Sequence, residues 1–196
     1  LPPSLAYPAP QMSKKVLRNP VNILVKPSEL RLEGIQHFFV DCGSEAYKYA
    51  TLCDLYKSLS SAQTVVFVNH RRTALRLQQS MQEDNHVVSV IHGEMPQEER
   101  TETISVFRSG RSRVLIATNV AARGIDVQQV SLVINYDMPF DRENYIHRAG
   151  RGGRQGRKGV TINLVTERDA RFLKDIEGFY SIDINPLPAD LSSLTI

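Results

Sequence analysis

Arg151 and Arg154 stand three residues apart in the string His147-Arg148-Ala149-Gly150-Arg151-Gly152-Gly153-Arg154. Residues at i and i+3 on a turn or helix start project to one side. Two guanidiniums so placed can grip phosphate oxygens through paired N–H donors, a geometry that the arginine fork suits better than lysine. The intervening glycines let the backbone approach a second surface closely. From His147 to Lys158 the sequence holds five Lys or Arg and no acid, in a chain whose net charge is only +3. The patch is local, not a property of the whole chain. An Arg-x-x-Arg standing alone would far more often be a solvated basic loop or a generic anion patch. The reaction this spacing can serve is charge stabilisation on a phosphoryl group, where a late-placed arginine is worth on the order of 10³–10⁵ in rate.

The parts that would complete such a site do not occur in this sequence. No Gly-x-x-x-x-Gly-Lys-Ser/Thr string is present to cradle phosphates. No acidic strand-end motif is present to hold Mg²⁺. The chain is therefore expected to supply arginines to a site built mostly elsewhere. The start at Leu1, without Met, is what an excised piece of a longer chain would show. Two cysteines, Cys42 and Cys53, lack metal-ligand spacing and read as buried thiols. His86 and His92 do not make a metal site, which wants at least three convergent ligands. No metal-binding residues are expected.

The elements that must position these residues follow from periodicity. The chain has 196 residues, 41% of them hydrophobic and 23% charged, ordinary values for one globular domain. Residues 1–20 hold five of the ten prolines, among them Pro2, Pro3, Pro8 and Pro10, and read as an extended linker. Residues 21–196 form the domain. Its longest apolar run, Thr64–Val68, is far too short to span a bilayer. Strands are expected at Ile35–Cys42, Thr64–Val68, Val87–Ile91, Arg113–Ala117, Leu132–Asn135 and Gly159–Val165, the last. Helices are expected at Glu45–Ser60, Arg72–Asp84, Pro96–Phe107, Arg142–His147 and Arg168–Tyr180. Short apolar runs alternating with amphipathic stretches make an α/β fold, a doubly wound parallel sheet flanked by helices. Ligands of such sheets bind beyond the carboxyl ends of the strands. Asn69, His92, Gly93, Thr118 and Asp137 all fall there. Aromatic residues are scarce near these loops, which argues against base-stacking platforms.

The string His147–Arg154 resembles motif six of the DEAD-box RNA helicases. Ala122-Arg123-Gly124-Ile125-Asp126 resembles their motif five, Gln97-Glu98-Glu99-Arg100 their Gln-x-x-Arg element, and Phe67-Val68-Asn69-His70-Arg71-Arg72 their motif four. All four occur in family order, and the resemblance covers residues 17–196. Within the family the chain is most similar to the translation initiation factor 4A subgroup. The strings that carry this are Arg123 to Asp137, Glu143 to Arg148, Thr51 to Tyr56, Ile23 to Lys26 and Pro188 to Leu191.

The resemblance implies a RecA-like C-terminal domain of an ATP-dependent RNA helicase. It implies that Arg151 and Arg154 act as arginine fingers on ATP, with His147 coupling RNA binding to hydrolysis. It implies that Asp126, with Gly124, meets the nucleotide, Asp126 through the ribose. Thr118, Arg100, Gly93, Asn69, Arg71 and Arg148 would line the RNA backbone. ATP and Mg²⁺ would be held mainly by an N-terminal RecA-like half, so this domain alone is expected to be inactive. The implied partners are RNA, that N-terminal half and a HEAT-repeat scaffold of the initiation-factor 4G type. The protein would be a monomer in the cytoplasm, or alternatively in the nucleus, with no membrane association. Asn119 departs from the pattern, standing where many members carry Asp, and leaves the local carboxylate role open. A different subgroup, working in splicing or ribosome assembly, and a non-catalytic docking module are the alternatives.

Overall fold

The computed structural model describes residues 34–59, 63–119, 130–152, 158–191 and 194. The proline-rich stretch 1–20 and the Ile23–Lys26 string lie outside them.

Strand β2 (Thr64–Val68) is buried at all five positions, and β6 (Gly159–Val165) at all seven. Continuous burial explains why β2 is apolar without alternation: a parallel sheet is covered on both faces. The other strands are β1 (Ile35–Asp41), β3 (Val88–Ile91), β4 (Val114–Thr118), β5 (Leu132–Asn135) and β7 (Ile184–Pro186). They form one sheet in the order β3-β4-β2-β5-β6-β1-β7. Every pairing is parallel.

Among the described residues five helices connect them: α1 (Lys48–Ser58), α2 (Arg71–Glu83), α3 (Gln97–Arg108), α4 (Arg142–Ala149) and α5 (Ala170–Tyr180). Helix α2 buries Ala74, Leu77 and Met81 against Val66, Val68 and Ile116. Helix α3 buries Phe107 with Val65, Phe67 and Leu115. The alternation of Val65 and Phe67 against Val66 and Val68 thus places α2 and α3 on opposite faces of the sheet. Helices α4 and α5 share a third cluster, with Tyr145, Ile146, Leu173, Ile176 and Tyr180.

The path of the chain creates a switch point. From β2 it moves outward to β3 and back to β4; from β4 it crosses β2 to reach β5 and then β6. Ligand crevices in open α/β sheets lie at the carboxyl ends of the strands where the winding reverses. Here those are the ends of β4, β2 and β5.

The sequence-based expectations need three corrections. Gly159–Val165 is not the last strand: β7 follows α5 and pairs with β1. It ends on Pro186, tolerated because this strand lies at the edge of the sheet. Pro96 is not inside α3 but occupies its N-cap, with an extended ψ of 150°. The first turns expected of the helices at Glu45 and Arg168 are 3₁₀ turns, Glu45–Tyr47 and Glu167–Asp169, the second with a capping box between Thr166 and Asp169.

Candidate nucleotide and RNA interface

Helix α4 begins where β5 delivers the chain past the carboxyl end of the sheet. Asp141 caps it, accepting from the Asn144 backbone N–H at 2.7 Å. The helix then descends, and the turn beyond it closes with Gly152 N–H donating to the Ala149 carbonyl at 3.0 Å. A Cβ at Gly152 would lie 3.6 Å from Val133 Cγ2, so this turn returns close against β5.

Arg148, on α4, is the centre of the arrangement. It is only 2% exposed. Its Nε donates to Asn119 Oδ1 at 2.6 Å, and Nη2 to Asn69 Oδ1 at 2.7 Å. Nη1 donates to the Asp137 carbonyl at 2.6 Å and to Asn135 Oδ1 at 3.1 Å. One guanidinium thus joins the carboxyl ends of β2, β4 and β5, the three strands at the switch point. It also lies 5.2 Å from the centroid of the Phe67 ring. All four acceptors are neutral. Burial pulls the guanidinium down to about 10, while the charges of Asp137 and Asp141 act to raise it. It stays protonated at neutral pH. The Asp137 carboxylate completes the junction by accepting from the Asn69 backbone N–H at 2.8 Å.

Two residues expected along the RNA are engaged inside the protein. Arg148 has its donors committed to protein acceptors. Asn69 is committed likewise, with Nδ2 donating to the Met138 carbonyl at 2.8 Å. Both residues build the floor of the crevice. Asn119 has a role that does not need a carboxylate: its amide oxygen accepts from Arg148.

The remaining expected residues are distributed around that floor. His147 and Arg151, on α4 and just beyond it, are half-buried. Arg151 Nε donates to the His147 carbonyl at 3.1 Å, which folds the side chain along the end of the helix. Arg154, Asp126 and Gly124 lie outside the described residues, so the pairing of Arg151 with Arg154 and the ribose contact are not placed. Thr118 closes β4 and is buried, offering little surface to a phosphate. Gly93 is exposed in the β3–α3 connection, and Arg100 is half-buried in the first turn of α3. Arg71, exposed at the start of α2, forms an ion pair with Glu94. That pair sits on the rim of a groove of about 640 Å³ along the open edge of β3, also lined by Leu75, His92, Met95 and Glu99. An RNA phosphate reaching Arg71 would compete with Glu94.

The sequence reading missed Asn135, Asn163 and Tyr145, all fully buried. A signal was available. Asn is depleted in strands, yet Asn135 and Asn163 interrupt otherwise apolar runs. Aromatic residues were expected to be scarce near the candidate loops. In the structure Phe140, 70% exposed, stands in the β5–α4 connection with its ring 5.9 Å from that of His70. Among the described residues no three His, Cys, Asp or Glu side chains converge as metal ligands. Among them, too, no helix is long and apolar enough to cross a membrane. Cys42 and Cys53 are free and buried, as expected.

Comparison with known proteins fits this geometry. Residues 47–156 match the family model described as the helicase conserved C-terminal domain. The chain is 56% identical over 184 residues to eukaryotic initiation factor 4A of Drosophila melanogaster, covering 94% of this chain and 46% of that protein. It is 54% identical over 191 residues to ATP-dependent RNA helicase fal1 of Sclerotinia sclerotiorum, covering 97% of this chain and 48% of that protein. The chain thus spans about half the length of the curated relatives it matches. Among solved structures, S. cerevisiae Dbp5 bound to RNA and ADP BeF3 superposes with a TM-score of 0.86 at 37% identity, covering 95% of this chain and 50% of that one. The C-terminal domain of the DEAD-box protein Dbp5 superposes with a TM-score of 0.75 at 39% identity, covering 82% of this chain and 93% of that domain. A helicase model matched over more than half the chain, and a solved DEAD-box domain matched over nearly its whole length, establish that this chain belongs to the DEAD-box helicase family, as a C-terminal RecA-like domain.

Proposed function

We propose that this chain is the C-terminal half of an ATP-dependent RNA helicase of the initiation factor 4A type. In this reading an N-terminal RecA-like half binds ATP and Mg²⁺, and both halves close on single-stranded RNA. One observation carries the proposal. The Arg148 junction fixes α4 to the carboxyl ends of β2, β4 and β5 and leaves His147 and Arg151 on its accessible side. A guanidinium on a rigid mount can stabilise charge on a transferring phosphoryl group without reorganising at that moment.

The roles divide as follows. Arg151 and Arg154 act on the ATP γ-phosphate, His147 couples the two halves, and Asp126 with Gly124 meets the ribose side of the nucleotide. Gly93, Arg100 and Arg71 run along the RNA backbone, a sequence-independent mode of contact, and buried Thr118 supports that rim from the end of β4. ATP supplies the phosphoryl group and Mg²⁺ neutralises its developing charge; both are gripped by the other half. A HEAT-repeat scaffold of the initiation-factor 4G type, a monomeric state and a cytoplasmic location belong to the same reading. The near-equal identities to initiation factor 4A and to the fal1 helicases favour a second reading, in which the chain serves another member of this subgroup.

The test is Arg151→Ala in the full-length helicase. RNA-stimulated kcat is expected to fall at least about 10³-fold, with ATP binding retained. Retention of wild-type turnover would favour the docking-module alternative.

A further inference from the structure

A buried polar chain runs from the Arg148 junction across the sheet, from β5 through β6 to β1, and back to helix α4. Asn135, on β5, presents Oδ1 to Arg148 and donates from Nδ2 to Asn163 Oδ1 at 2.8 Å. Asn163 sits opposite Asn135 in the β5–β6 register. Its Nδ2 donates to the Phe38 carbonyl of β1 at 2.8 Å and to the Tyr145 hydroxyl at 3.3 Å. Tyr145 OH lies 3.0 Å from His37 Nδ1. Asn135, Asn163 and Tyr145 are each 0% exposed and His37 is 4% exposed.

The polarity of this chain is fixed from one end. A backbone carbonyl only accepts, so Asn163 must turn its NH₂ toward Phe38. Its oxygen must then face β5. Asn135 can meet that oxygen only with its own NH₂, which turns the Asn135 oxygen toward Arg148. Reversing either amide would set two donors, or two acceptors, against each other in a buried interior. Tyr145 and Arg148 lie three apart on α4, so Asn163 touches this helix twice: directly at Tyr145, and through Asn135 at Arg148.

We propose that Asn163 is a positioning residue for α4: its carboxamide, oriented by the Phe38 carbonyl, sets the acceptor that holds the Arg148 guanidinium and fixes the pose of the helix that carries His147 and leads into Arg151. Its effect on turnover rests on the helicase reading above; its effect on Arg148 does not. The two are separable by experiment.

The first measurement uses the 196-residue chain and ¹⁵N NMR of the Arg148 Nε–H. In the wild type this proton is expected to exchange slowly with water, being buried on Asn119. Asn163→Leu replaces the carboxamide by an apolar side chain of similar size and leaves the Asn135 NH₂ without an acceptor. Exchange of the Arg148 proton is expected to rise at least tenfold. Unchanged exchange in the folded variant would overturn the proposal. Should Asn163→Leu fail to fold, Tyr145→Phe removes only the hydroxyl that Asn163 contacts on α4. It is expected to accelerate the same exchange about threefold or more, and unchanged exchange there would overturn the proposal equally. The second measurement is RNA-stimulated ATP hydrolysis by the full-length helicase carrying Asn163→Leu, assayed well below its Tm. The expected result is a kcat lowered at least tenfold with the KM for ATP within twofold of wild type. Asn163→Gln, which keeps a carboxamide, is expected to recover part of that loss. A normal kcat alongside accelerated exchange would overturn the link from α4 pose to turnover. A wild-type enzyme lacking RNA-stimulated hydrolysis would instead overturn the helicase reading and leave the NMR result standing.

Discussion

Arg148 joins three strand ends through neutral acceptors alone, and that sets what its loss should cost. Arg148→Ala would leave the oxygens of Asn69, Asn119 and Asn135 and the Asp137 carbonyl short of a donor. Stranded buried acceptors cost about 1–3 kcal/mol each, discounted here because water can enter the space left behind. A loss of roughly 3–5 kcal/mol in urea unfolding is expected; a change under about 1 kcal/mol would show that the junction is not what holds α4. His37 makes a second prediction. Asn163 already donates to the Tyr145 hydroxyl, whose own proton is therefore assigned to His37 Nδ1. Nε2 then carries the imidazole proton, and it is buried with no partner among the described residues. Burial lowers this histidine from 6.5 to about 4. The unfolded chain therefore takes up the proton before the folded one does. The contribution is fully present above pH 6.5 and is lost as pH falls from there to about 4, by roughly 3 kcal/mol. Stability measured across that window should flatten in His37→Gln; an unchanged slope would count against the assignment. At this scale the sequence revealed the residue types better than their duties. Arginine was legible as chemistry, but nothing in the string His147–Arg154 separates the interior Arg148 from the half-exposed Arg151. Only tertiary placement does that.

Helix α4 depends on its first turn. Asp141 accepts from the Asn144 backbone N–H at 2.7 Å and from Asn144 Nδ2 at 2.6 Å. Asp141→Ala should destabilise by about 1 kcal/mol, read as a lowered Tm; an unchanged Tm would mean the cap is dispensable. The sequence showed this helix because it alternates polar and apolar residues at helical spacing after an Asp. It showed β2 with its observed bounds because a continuous β-branched and aromatic run suits a strand buried on both faces, and it placed β5 and β6 with their observed bounds too. It did not show β7, since three residues ending in proline carry no period and their pairing depends on β1, far away in sequence. It showed the end of α5 at Tyr180, but not the left-handed conformation of Ser181 (φ 52°) at a cap usually filled by glycine.

The whole molecule brings its chemistry to one rim. The winding reverses between β4 and β5, and the Arg148 junction occupies that reversal. Fold class was legible from the alternation of elements, and the candidate rim from the residues that end each strand. Which of those residues form the floor and which face outward was not, because that depends on contacts between strands remote in sequence, such as Asn69 with Arg148. The outward set carries a prediction at this scale: RNA held through its backbone should bind with little sequence preference and weaken steadily as salt rises. Strong preference for one sequence in RNA-binding assays would point instead to base contacts, with exposed Phe140 the first residue to examine. The central claim is that this chain is half of an ATP site. The direct measurement is RNA-stimulated ATP hydrolysis by the 196-residue chain alone and by the same chain joined to its N-terminal RecA-like half. Negligible turnover alone and RNA-stimulated turnover when joined is the predicted result; comparable turnover by the chain alone would contradict it.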